Sequence, residues 1–153
     1  MTHSSAADSG LSLRAEGSRQ GTLGIEGLLD RVRSTLHRLT PLEVWDAVMA
    51  GGLLVDTRTE SQRRLQGELR GSVVIDRTVL EWRLDPASPN RIPESVDYDR
   101  LIIVVCRQGF SSSLAAASLQ SIGLRQATDM IGGVEGWIEA GLPMSTGPAD
   151  VRL

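Results

Sequence analysis

Short apolar runs recur along the chain, separated by longer amphipathic stretches. Leu53-Leu54-Val55, Val73-Val74-Ile75, Leu101-Ile102-Ile103-Val104-Val105 and the segment Thr128 to Ile131 are each bounded by Gly, Asp or other polar residues. Such runs predict strands buried on both faces. Helical patterns lie between them. Thr40-Pro41-Leu42-Glu43 offers an N-cap, a proline for the first helical position and the Glu of a capping box. Trp45, Val48 and Met49 are expected to continue that helix inward as far as Gly51-Gly52, which stops it. Glu60 to Leu65 predicts a short polar helix, and Thr78 to Leu84 a helical turn before a loop with Pro86, Pro89 and Pro93. Leu114, Ala115, Ser118, Leu119 and Ile122 mark a helix ended by Gly123, and Gly132-Gly133 opens a last one closed by Gly141 and Pro143. Strands alternating with helices predict an α/β fold, a central parallel sheet of about five strands covered on both faces.

The N-terminal part reads differently. Residues 1–22 are polar and small, without apolar periodicity, and are expected to be a disordered tail. Ile25, Leu28, Leu29, Val32 and Leu36 share one helical face and predict an accessory helix within residues 23–37, a candidate cover for an apolar face or a homodimer contact. The main domain is expected over residues 38–147, with 148–153 as a C-terminal tail. A chain of 153 residues fits one domain.

Composition narrows the chemistry. The net charge of −3 gives no sign of a nucleic-acid partner. All 16 basic residues are Arg, which removes lysine amine chemistry and leaves guanidinium groups as the strong anion binders. The single cysteine excludes an internal disulfide and a Cys-rich metal site, so no metal is expected. The first 20 residues hold no apolar signal-peptide core, and no run reaches the ~18 apolar residues of a membrane span. A soluble cytoplasmic protein with no membrane partner is the expectation.

The informative segment is Cys106-Arg107-Gln108-Gly109-Phe110-Ser111-Ser112. A buried strand delivers Cys106 to the C-terminal edge of the sheet, where open α/β sheets bind ligands. A Gly-containing loop follows and a helix starts near Ser111. Converging backbone N–H groups and the helix N-terminus both favour the thiolate, the nucleophilic form. Gly109 permits unusual backbone angles. Ser111 and Ser112 can cap the helix or donate to an anion, Arg107 adds charge, and Phe110 can wall the site. The plainer alternative is a structural Cys at a strand end.

Three motifs together resemble the rhodanese-like (rhodanese homology) sulfurtransferase family, over residues of about 38–146. They are Leu53-Leu54-Val55-Asp56-Thr57-Arg58, the Cys106 to Ser112 loop, and Gly132-Gly133-Val134-Glu135-Gly136-Trp137 with Ala140-Gly141-Leu142-Pro143. The resemblance implies a single-domain rhodanese-like fold and a thiosulfate:cyanide-type sulfurtransferase. Cys106 would take a sulfane sulfur from a donor anion such as thiosulfate, hold it as a persulfide, and pass it to cyanide or a thiol, without a cofactor. With no second cysteine, the acceptor must come from outside. One departure stands out. Gly67-Glu68-Leu69-Arg70-Gly71-Ser72 occupies the place where the family often reads Gly-His-Ile-Pro-Gly-Ala.

Around Cys106, the backbone and side chains of Arg107, Gln108, Gly109, Phe110, Ser111 and Ser112 are the candidate substrate-binding groups. Arg83, beside Trp82, is a candidate donor-binding residue or a surface Arg packed on the indole. Asp56 and Arg58 are candidates for structural support by pairing. Trp45 and Trp137 read as packing residues, and His3 and His37 take no catalytic role. Two rivals remain. A cysteine phosphatase would carry Cys-x5-Arg, but Ser112 stands where that Arg belongs. A non-catalytic binding or redox-sensing module would also suit a low-pKa thiol.

Overall fold

The inner strands of the main sheet form where the chain is apolar on both faces, and the fold sorts those faces into two cores. The computed structural model describes residues 21–153. The tail expected over residues 1–22 lies almost wholly outside the described residues, as does His3. The helices are α1 (Gly24–Arg33), α2 (Pro41–Met49), α3 (Glu60–Gln66), α4 (Leu80–Leu84, after a 3-10 turn over Arg77–Val79), α5 (Ser111–Ser121) and α6 (Gly133–Glu139). The strands are β1 (Leu53–Asp56), β2 (Glu68–Leu69), β3 (Ser72–Val74), β4 (Ile102–Val105), β5 (Ala127–Asp129), β6 (Met144–Ser145) and β7 (Asp150–Val151).

The five-stranded sheet runs β5-β4-β1-β3-β7, and every pairing in it is parallel. Successive side chains point to opposite faces of a strand. Val55 and Ile102 accordingly join Leu80, Leu84, Ala115 and Leu119 under α4 and α5, whereas Leu54 and Ile103 join Val44, Val134 and Trp137 under α2 and α6. A fully buried side chain of this kind contributes about 1.5–3 kcal/mol. Trp137, 1% exposed, tilts against Trp45 at 5.9 Å between ring centroids and donates its indole N–H to the Pro143 carbonyl. The expected packing role of both residues holds.

The predicted start of α2 is realised residue for residue. The Thr40 hydroxyl accepts from the Glu43 N–H, and the Glu43 carboxylate accepts from the Thr40 N–H. Three expectations need correction. Residues 148–153 were expected to be a tail, yet Asp150 and Val151 pair with Val73 and Val74 as the edge strand β7. On α1 only Leu29 is buried, while Ile25 is 58% exposed and Leu36 packs on the core from beyond the helix end. In α2 the buried residue is Val44, and Met49 faces outward. The departure at Gly67 to Ser72 makes a small antiparallel pair. Leu69 opposes Met144, and the Ser72 hydroxyl closes the turn on the Leu69 carbonyl.

Candidate active site

Cys106 is the first residue after the inner strand β4 and is 6% exposed. The loop that follows folds back over the sulfur. The Gly109 N–H reaches Sγ at 3.1 Å and the Ser112 N–H at 3.4 Å, and Ser112 Oγ lies 3.2 Å away. Two backbone donors and a hydroxyl therefore converge on one buried atom, as an oxyanion hole converges on oxygen.

This curl depends on glycine. Gly109 has φ of +88°, and a Cβ there would lie 2.8 Å from the Gly132 nitrogen. Gly133 has φ of +61°, and a Cβ there would lie 2.6 Å from the Cys106 and Arg107 backbone. The Gly-Gly motif thus lets α6 dock end-on against the loop. The Val134 and Glu135 N–H groups donate to the carbonyls of Cys106 and Arg107. With those carbonyls held from behind, the N–H groups are left to face the sulfur.

Burial pushes the Cys106 thiol up. The hydroxyls of Ser112 and Ser111, with the N–H groups of Ser112 and Gly109, outweigh it and hold the thiol below its ordinary range. The nucleophile is the thiolate, so reactivity rises as pH climbs through that lowered pKa. The rate of Cys106 alkylation by iodoacetamide is therefore expected to level off at lower pH than for an ordinary exposed thiol. Ser112→Ala removes the largest of the lowering contributions and moves the curve to higher pH. An unmoved curve would mean that the Ser111 hydroxyl and the backbone N–H groups set the thiolate.

Behind the loop lies a buried polar network. Asp129, fully buried at the end of β5, accepts the Ser112 and Ser113 hydroxyls, both at 2.8 Å, on Oδ2. Arg38 grips the same carboxylate from outside, Nε to Oδ1 at 2.9 Å and Nη2 to Oδ2 at 3.2 Å. A hydroxyl has a single proton to donate. With Cys106 as a thiol, S–H donates to Ser112 Oγ and that hydroxyl donates to Asp129. Once the thiolate forms, Asp129 still holds Arg38 and Ser113, and the Ser112 proton is free to turn to sulfur.

The other predicted residues distribute unevenly. Asp56 and Arg58 pair, both side chains fully buried, at 2.8 Å, and Arg58 reaches on to the Gly67 carbonyl. They join the end of β1, beside the end of β4, to the chain after α3. Gly109 and Ser112 meet the sulfur directly. Ser112 does not cap α5, whose N-cap is Phe110 without a side-chain cap. Arg107 and Gln108 turn their side chains to Glu135, at 3.2 Å and 3.3 Å, so neither side chain reaches the sulfur. Phe110, 53% exposed, stands at the rim with the Arg33 guanidinium 5.8 Å from its ring. Arg83 is not at the site. It donates to the Asn90 carbonyl and lines a surface hollow with Val79, Trp82 and Leu153. A roomier cavity of about 570 Å³, between His37, Ala47, Leu101 and Gln120, lies at the opposite sheet edge and has no cysteine in its wall. Sequence reasoning missed Asp129, Arg38, Ser113 and Arg33. The available signal was an Asp closing a buried strand, which needs a cationic partner.

Comparison with known proteins matches this architecture to one family. The model of the rhodanese-like domain matches residues 40–140. The chain belongs to the rhodanese-like domain family. Among curated relatives, the thiosulfate sulfurtransferase GlpE of Haemophilus influenzae is 32% identical over 112 residues, 73% of this chain and 97% of that protein. GlpE of Actinobacillus succinogenes is 32% identical over 71% of this chain and 89% of that protein. Among solved structures, a Rhodopseudomonas palustris protein of unknown function, described as a possible tyrosine phosphatase, superposes with a TM-score of 0.72 at 30% identity, covering 80% of this chain and 94% of that one. A human single-domain sulfurtransferase shares the fold, with a TM-score of 0.57 at 21% identity over 67% of this chain and 95% of that one. The rhodanese-like match begins after Arg38 and ends before β7, so α1 and the edge strand lie outside the matched span. No helix among the described residues is long and apolar enough to cross a membrane.

Proposed function

We propose that this rhodanese-like chain is a sulfurtransferase that carries sulfane sulfur on Cys106. The observation that carries the reading is the buried thiol in a ring of donors, Gly109 N–H at 3.1 Å, Ser112 N–H at 3.4 Å and Ser112 Oγ at 3.2 Å. The identity to thiosulfate sulfurtransferases supports it. The Cys106 thiolate attacks the outer sulfur of thiosulfate. A new S–S bond forms, the old one breaks, and sulfite leaves with the electron pair. The persulfide carries its negative charge on the outer sulfur, where the loop N–H groups stabilise it. Cyanide or an external thiol then attacks that sulfur and releases the Cys106 thiolate. The two steps balance without metal or cofactor. A lone thiolate nucleophile suits the reducing cytoplasm.

The likeness to a possible phosphatase favours a second reading, hydrolysis of phosphate esters. A phosphate dianion calls for a charged fork in the loop. Here Ser112 fills that place with the Asp129 carboxylate directly behind it, and Arg107 is turned to Glu135. Sulfur transfer is the better fit. The test is intact-mass spectrometry after thiosulfate treatment, with p-nitrophenyl phosphate turnover assayed alongside. A gain of one sulfur, about 32 Da, removable by cyanide and without phosphate release, is expected of a thiolate carrier. An unchanged mass with several sulfane donors would leave a binding or redox-sensing module, and phosphate release would favour the second reading.

A further inference from the structure

Arg33, the last residue of α1, sends its guanidinium across to the Cys106 loop. Its Nη2 donates to the Gly109 carbonyl at 2.7 Å and its Nε to Ser113 Oγ at 3.0 Å. Arg38 Nη2 donates to the same carbonyl at 3.0 Å. One backbone oxygen of the loop is thus clamped by two guanidinium groups. Both residues precede the 40–140 span of the family match.

The clamp has a consequence across the peptide plane. The 109–110 peptide is trans, and in a trans peptide C=O and N–H point in opposite directions. With the Gly109 oxygen drawn outward, the Phe110 N–H is turned to the other side of the loop, away from both guanidiniums. Gly109, buried with φ of +88°, is the residue about which this peptide could otherwise rotate. A flipped peptide would aim a carbonyl dipole where an anion needs a donor.

We propose that Arg33 and Arg38 are positioning residues for sulfur transfer, locking the 109–110 peptide so that the Phe110 N–H serves the outer sulfur of the persulfide. The accessory helix then completes the site rather than merely covering the core. This rests on the persulfide reading above. The ground-state thiolate is already served by Gly109 and Ser112, so the clamp acts on the charge that appears one atom further out.

Arg33 is the residue to test, because Arg38 also holds the buried Asp129. Arg33→Met keeps a stem over Phe110 and removes every donor. Removing an oxyanion donor outright costs about 10²–10³ in rate, and with Arg38 still in place a drop of about tenfold in the second-order rate of sulfur uptake from thiosulfate is expected. The pH profile of Cys106 alkylation by iodoacetamide should stay where it is, and so should the drop at about 1 M salt, where charge attraction is screened within about 3 Å. Uptake equal to wild type would overturn the proposal. So would an equal loss of alkylation rate, which would mean general loosening, or a deficit that vanishes in salt, which would make Arg33 an attractor of the donor. No uptake by the wild-type protein would instead sink the persulfide reading, and this proposal with it.

Discussion

Cys106→Ser is expected to reduce sulfur transfer from thiosulfate to cyanide to the uncatalysed background while leaving the fold intact. Serine fits the same space, and its hydroxyl can accept from the Gly109 and Ser112 N–H groups that now face sulfur. What it cannot do is ionise. The loop holds the thiol below its ordinary range, whereas an alcohol stays protonated and a poor nucleophile without an added base. His37 is the sole histidine among the described residues, and it lines the cavity at the opposite sheet edge, so no imidazole serves the oxygen. Loss of a covalent nucleophile costs on the order of 10⁶ in kcat where it has been dissected, and a fall of at least about 10⁴ is expected here. Steady-state thiocyanate release checks the rate, and urea unfolding checks the fold, with a change under about 1 kcal/mol expected for a near-isosteric swap. Residual turnover within about a hundredfold of wild type would mean that sulfur passes without a covalent stop on Cys106. The preserved fold makes that result decisive.

What the sequence could reveal follows the range of the interactions. β1 and β4 were legible because burial on both faces writes an unbroken apolar run, and the α2 capping box because its partners are three residues apart. The Cys106 loop was legible for the same reason, since Cys106, Gly109 and Ser112 lie within one turn of chain. β7 was not. It is two residues long with both side chains exposed, and only backbone pairing with β3 defines it. The network behind the loop was hidden by distance, as Arg38 and Asp129 are 91 residues apart and Arg33 and Gly109 are 76 apart. Periodicity marked the apolar stripe of α1 but not that Leu29 and Arg33, one turn apart, carry its working contacts. The choice between the two readings of Arg83 was not legible, because adjacency to Trp82 says nothing about which way a short helix turns, and the side chain turns to Asn90.

Arg38→Met is expected to destabilise the protein by about 3–5 kcal/mol, the cost of stripping one partner from a buried ion pair. Asp129 has no exposed surface and holds four donors, two from Arg38 and one each from Ser112 and Ser113. The guanidinium is the charged member of that set, and its side chain is 17% exposed. Removing it leaves a carboxylate in the interior with two neutral hydroxyls. Removing the carboxylate instead frees an Arg that can lean into water. Asp129→Asn should therefore cost less, and adding it to Arg38→Met should recover part of the loss, since the double variant leaves no buried charge. Urea midpoints at constant m-value report the differences. A total stability of about 5–15 kcal/mol leaves little margin, so Arg38→Met should also shorten the lifetime of the Cys106 loop at 37 °C. Equal costs for the two single variants, or a double variant that is simply additive, would mean that packing and not charge pairing is what Arg38 contributes. The asymmetry matters for function because the same fork that neutralises Asp129 also holds the Gly109 carbonyl. One side chain thereby ties the stability of the β5 end to the shape of the sulfur cradle.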